Sequence, residues 1–80
     1  MPQSNEEILK DIRVAYARCF ETEYGKKVFK DLELRCFGKH KTFTQDPYIT
    51  AFNEGTRSAF LYIQGMMEVG DGLQEERREA

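Results

Sequence analysis

Chemistry in this 80-residue chain would have to start from few places. Asn53-Glu54-Gly55-Thr56-Arg57 puts an amide, a carboxylate, a glycine, a hydroxyl and a guanidinium in a row. As a turn, such a cluster could hold an anion. Cys19 and Cys36 could form a disulfide, share a metal or supply a thiol nucleophile, and His40 is the one imidazole.

Each option weakens when its geometry is considered. Cys19 and Cys36 fall on the apolar stripes of two consecutive helices. In an antiparallel hairpin turning near residue 22 their axial offset exceeds ~10 Å, whereas a disulfide needs Cα atoms within ~7 Å. The expectation is two free core thiols in a reducing compartment. His40 stands between Lys39 and Lys41 with no second ligand at a recognisable spacing, so no metal is expected. Ser4 reads as a helix cap and Ser58 as a helix flank, so no Ser/His/Asp or Cys/His set assembles. Glu6-Glu7 and Glu75-Glu76 lie on polar faces, and no phosphate-cradling glycine motif is present. The chain is expected to be no enzyme and to use no cofactor.

The elements explain the opening cluster. Ser4 followed by Glu7 is a capping box. Ile8, Leu9, Ile12, Ala15, Tyr16, Cys19 and Phe20 then recur at helical spacing, predicting a first helix over 5–21. Thr22 caps a second helix over 23–37, with Val28, Phe29, Leu32, Cys36 and Phe37 as its buried stripe and Gly38 as its stop. A polar connector follows, pinned by Phe43. Asp46-Pro47 is a cap-and-first-turn pair that starts a third helix. From Tyr48 through Ile49, Phe52, Gly55, Thr56, Ala59, Phe60, Ile63, Met66 and Met67 the apolar period is unbroken. The cluster at 53–57 therefore lies inside a helix over 47–69, ended by Gly70-Asp71-Gly72, with 70–80 as a charged tail.

A third helix of about 34 Å outruns two helices of about 24 Å. Its C-terminal end, with Met66, Met67, Val69 and Leu73, is expected to overhang and to meet a partner, a second copy foremost. Gly55, Ser58 and Gly65 form a small-residue flank that would let another backbone come close, which offsets the ~1 kcal/mol a helical glycine costs. Leu61, Tyr62 and Val69 extend it into a second apolar surface. Gly55, Ser58, Leu61, Tyr62, Gly65, Met66 and Val69 are the expected interface. Thr50, Glu54 and Arg57 are expected to make polar contacts, to the 38–46 connector or to a neighbouring subunit.

Composition sets the outer limits. Forty per cent hydrophobic residues, with six Phe and four Tyr, suit one soluble helical domain. A chain of this length buries only ~60% of its unfolded surface. Net charge is −2, so no global field favours nucleic acid. The charge is polarised: residues 26–41 carry six cations against two anions, +4, and residues 68–80 five anions against two cations, −3. Lys26, Lys27, Lys30, Lys39 and Lys41 form a basic patch that could touch phosphate. Lysines position rather than specify, so any nucleic-acid binding is expected to be weak. No apolar run is long enough to span a membrane. "MPQSNEEILK" reads as no secretory signal, and the expectation is an intracellular protein.

Two segments, "AYARCFETEYGKKVFKDLELRCF" and "DPYITAFNEGTRSAFLYI", carry a resemblance. The second resembles an Asp-Pro-Tyr-x-Thr-Ala-Phe-x-Glu-Gly-x-Arg signature of small proteins of tailed bacteriophages and prophages, encoded among head and DNA-packaging genes. It covers roughly residues 14–67. The resemblance implies a phage protein in the virion or its assembly, active in the host cytoplasm, with other phage proteins or itself as partners. It implies no catalysis and assigns no residue a role. Thr50, Glu54, Gly55 and Arg57 belong to the motif. The expectation is an all-α, three-helix domain: an αα-hairpin plus a long C-terminal helix, serving as a phage structural or assembly protein. The alternative is a nucleic-acid-associated or host-directed regulator using the 26–41 segment.

Overall fold

The computed structural model describes residues 3–38 and 40–79, and the side chains of 77–79 lie outside the description. Three helices follow one another: α1 (Asn5–Glu21), α2 (Glu23–Arg35) and α3 (Pro47–Glu79). Among the described residues there is no strand. The all-α fold, an αα-hairpin with a long C-terminal helix, is the one the periodicity predicts.

Local chemistry sets most of the boundaries. Ser4 caps α1 by accepting the Glu7 N–H at 3.2 Å, and Glu6 and Glu7 place negative charge in the first turn. Thr22 ends α1 and begins α2. Its backbone is extended, and its hydroxyl accepts the Gly25 N–H at 2.9 Å. Gly25 is required there, because a Cβ would overlap the Cys19 carbonyl oxygen and lie 2.8 Å from Phe20 Cα. Asp46 caps α3 by accepting the Tyr48 N–H at 2.9 Å, with Pro47 in the first turn.

Two ends differ from expectation. α2 stops at Arg35, and Phe37 rather than Gly38 takes the left-handed conformation, at φ 61°. The Gly38 N–H then closes back onto the Glu33 carbonyl at 2.8 Å, a Schellman-type end. Gly38 is small for another reason: a Cβ would come 2.8 Å from Phe60 Cε1. The larger difference is α3, which runs through Gly70-Asp71-Gly72 to Glu79 instead of stopping at Val69. Those residues were expected to form a charged tail. At 1.5 Å per residue the helix is about 50 Å long, and it sets the 52 Å long dimension of the molecule.

α1 packs antiparallel along the C-terminal half of α3. Arg13 and Ala17 face Gly70, while Tyr16 meets Tyr62 edge-on with ring centroids 6.1 Å apart. As α1 advances, its partners on α3 retreat. α2 joins through aromatic contacts: Phe20 meets Phe29 at 5.5 Å, and Phe29 meets Phe60 at 5.2 Å. Phe60 is 1% exposed and is the centre of the core. The overhang is therefore at the opposite end from the one expected. Met66 is buried, Met67 and Leu73 are half-buried, and it is Tyr48, Ile49 and Phe52 that extend beyond the cover of α1.

Candidate interaction surface

The residues with polar function first form a lock between connector and α3. Thr44 N–H donates to Thr50 Oγ1 at 2.8 Å, and the two threonine hydroxyls lie 3.0 Å apart. One turn further on, Asn53 Nδ2 donates to the Thr42 carbonyl at 3.2 Å, and the Thr42 hydroxyl donates to Glu54 Oε1. Thr42 is buried. Thr50 and Glu54 thus contact the connector, one of the two partners expected for them, with Asn53 as a third member. Arg57 does not complete it: its Nε is buried and meets no acceptor among the described residues, as is also true of Arg13 Nε. Phe43 pins nothing, being 79% exposed. The threonines do that work because a short hydroxyl can satisfy backbone groups that an aromatic ring cannot.

The cysteines do not come together, and neither is in the core as expected. Cys19 is exposed and Cys36 half-buried, both free. His40 is exposed. Among the described residues no group of three or more His, Cys, Asp or Glu side chains is placed to hold a metal. No helix is long and apolar enough to cross a membrane, among those residues. A hollow of about 300 Å³ lies among the three helices, floored by Ala17, Phe20, Phe29 and Met67 and rimmed by Glu21, Lys26 and Asp71.

What the fold exposes is apolar surface. Among the described residues, Val14, Ala17, Phe60 and Met66 are the buried hydrophobic ones. Ile8, Leu9 and Ile12 of α1, Val28 and Leu34 of α2, and Ile49, Phe52, Leu61, Tyr62 and Val69 of α3 all remain exposed. α1 meets α3 through Val14 and Ala17, so the stripe expected to be core, Ile8-Ile12-Ala15-Cys19, points to solvent. A groove of about 320 Å³ runs along it, lined by Ile12, Ala15, Tyr16, Cys19 and Phe20.

Of the expected interface, Gly55, Ser58, Leu61, Tyr62, Gly65 and Val69 are exposed, and a Cβ at Gly55 or Gly65 would meet nothing within 4 Å beyond its own stretch of helix. Gly55 therefore does not pack against the protein's own hairpin. Met66, at 8% exposure, belongs to the core and leaves this set. Sequence reasoning missed Leu9, Ile12 and Phe52 as surface, because an apolar arc carries no mark of which helix will cover it.

The basic segment is less free than its composition suggests. Lys26 pairs with Glu23 at 3.5 Å, and Arg35 Nε bridges both Asp31 oxygens at 3.0 Å. Lys27, Lys30 and Lys41 are exposed, while Lys39 lies outside the described residues.

The comparison with family models decides the kinship. Residues 16–79 match the model described as Bbp19-like phage protein. The chain belongs to the Bbp19-like phage protein family. It is thus a phage protein, as the resemblance implied. No curated protein and no solved structure matches it. The match spans α2, α3 and the last turns of α1, so it includes the connector lock and the tyrosine pair of this Bbp19-like chain.

Proposed function

We propose that this Bbp19-like protein is a small structural or assembly protein of a tailed phage, associated with the head or its DNA-packaging apparatus. It acts through helix-mediated contacts with copies of itself or with other phage proteins, and it carries out no catalysis. Its place is the host cytoplasm during assembly, in the particle or in an intermediate on the way to it. The observation that carries this reading is the exposed apolar surface: among the described residues four hydrophobic side chains are buried while thirteen large ones are exposed. A domain this small gains stability by covering such surface with a partner. Gly55, Ser58, Leu61, Tyr62, Gly65 and Val69 are the contact flank on α3. Family membership supports the phage setting.

Quantitative mass spectrometry of purified particles and packaging intermediates tests this. A fixed, stoichiometric copy number in either is the expected result. Absence from both would overturn it.

The competing reading is nucleic-acid contact through the basic segment. It is favoured by the exposure of Lys27, Lys30 and Lys41, and weakened by the in-chain pairing of Lys26 and Arg35.

A further inference from the structure

The Tyr16–Tyr62 pair marks a seam. Both rings sit on one side of the α1/α3 layer, and helical spacing extends that side in both directions. Leu9 and Ile12 lie seven and four residues before Tyr16, and Gly55 and Val69 lie seven residues either side of Tyr62. Leu9 is 39% exposed, Ile12 43%, Tyr62 59% and Val69 47%. The result is a two-helix apolar face, bounded where the same spacing reaches Glu76, seven residues beyond Val69, and flanked on α1 by the half-buried Arg13.

We propose that this face packs against the same face of a second copy, in a two-fold antiparallel four-helix arrangement of α1, α3 and their counterparts. The proposal rests on the contact-based reading above and names its partner.

Area argues for a second copy. A compact monomer of 9.4 kDa exposes about 5,000 Å², whereas this chain exposes 6480 Å². Its radius of gyration is 15.7 Å, against about 12 Å for a compact 80-residue domain. The excess of about 1,500 Å² per chain, part of it on the α3 overhang, exceeds the roughly 800 Å² that each partner buries in a standard interface. Obligate homodimer interfaces resemble a core cut in half, and among the described residues this core buries four hydrophobic side chains.

Charge argues for antiparallel. Because α1 runs against the C-terminal half of α3, Glu6 and Glu7 share an end of the long axis with Glu75 and Glu76. Lys30 and Lys41 lie on the elements packed beside residues 50–60, toward the other end. A parallel pair would set acid beside acid along the 52 Å axis; an antiparallel pair sets acid beside base.

Sedimentation velocity at micromolar protein tests the association. The wild-type chain is expected as a dimer; a monomer, or any larger species, overturns the proposal. Ile12→Asp and Val69→Asp, at exposed positions on different helices, should each raise the dissociation constant at least about tenfold with unchanged helicity. Unchanged affinity in both overturns the face. Should one of them lose helicity, the other decides. A spin label at Glu76→Cys, with Cys19→Ser and Cys36→Ser, reads orientation: labels separated by most of the long axis support antiparallel packing, and adjacent labels overturn it. A dimer absent from particles would overturn only the phage-assembly reading, and a monomer present in particles only this one.

Discussion

Gly70 of α3 lies directly against the backbone carbonyl of Arg13 on α1. A Cβ at Gly70 would overlap that oxygen and sit 3.0 Å from the Ala17 Cβ. The two helices therefore meet backbone to backbone, and the closeness of the contact depends on one absent side chain.

Gly70→Ala should push α1 away from α3. Overpacking of this kind costs about 1–3 kcal/mol, which in a domain this size lowers Tm by roughly 4–8 °C per kcal/mol. Gly72→Ala is the control. A Cβ there would meet nothing within 4 Å beyond its own stretch of helix, so the substitution should stabilise by about 0.5–1 kcal/mol through helix propensity alone. Thermal melts followed by circular dichroism compare the two.

Phe60→Ala should be the most damaging single truncation. The ring touches Phe29, faces Gly38 and is 1% exposed, so it ties the hairpin and the connector to α3. Losing a buried phenylalanine costs about 3–5 kcal/mol, a large share of the stability of a small domain. Urea titration should show the midpoint falling sharply, or no cooperative transition.

The connector lock can be opened one bond at a time. Thr50→Val removes the acceptor of the Thr44 N–H and should cost about 1 kcal/mol. Hydrogen exchange at the Thr44 amide should accelerate, while amides in the middle of α1 keep their protection. Equal acceleration throughout would mean that the lock is coupled to global unfolding.

How much of this was legible in the sequence follows from what each signal encodes. Caps are local, so Ser4, Thr22 and Asp46 gave helix starts that agree with the structure. Gly70-Asp71-Gly72 read as a stop because glycine usually ends helices, yet Gly70 is there for α1, fifty and more residues away in sequence. Gly38 read as the left-handed residue, but Phe37 holds that conformation, and Gly38 is the position where a Cβ would come 2.8 Å from Phe60. The interior arcs were misassigned for a similar reason. Periodicity shows that Ile8, Ile12 and Phe52 lie on apolar stripes; it does not show that the chain has more stripe than it can cover. Thr50 and Glu54 reach the connector, one of the two partners expected for them, whereas Arg57 Nε is buried with no acceptor among the described residues.

The basic segment makes a separate prediction. With Lys26 and Arg35 paired in-chain, duplex DNA should bind weakly at low salt and be released well before physiological ionic strength. Fluorescence anisotropy over a salt series measures this. Tight binding at physiological salt would favour the competing reading.

The central claim is that the exposed α1/α3 surface is what this phage protein works with. Its most direct measurement is the yield of infectious particles from a phage carrying Tyr62→Glu together with Val69→Asp. Val69 is exposed, and Tyr62, 59% exposed, gives up its edge contact with Tyr16 at about 0.5–1.5 kcal/mol, so the variant should still fold, which its accumulation in the cell reads out. The account predicts that the protein accumulates at normal levels while its copies in particles or packaging intermediates, and the infectious yield, fall together. Wild-type yield with wild-type incorporation would contradict it.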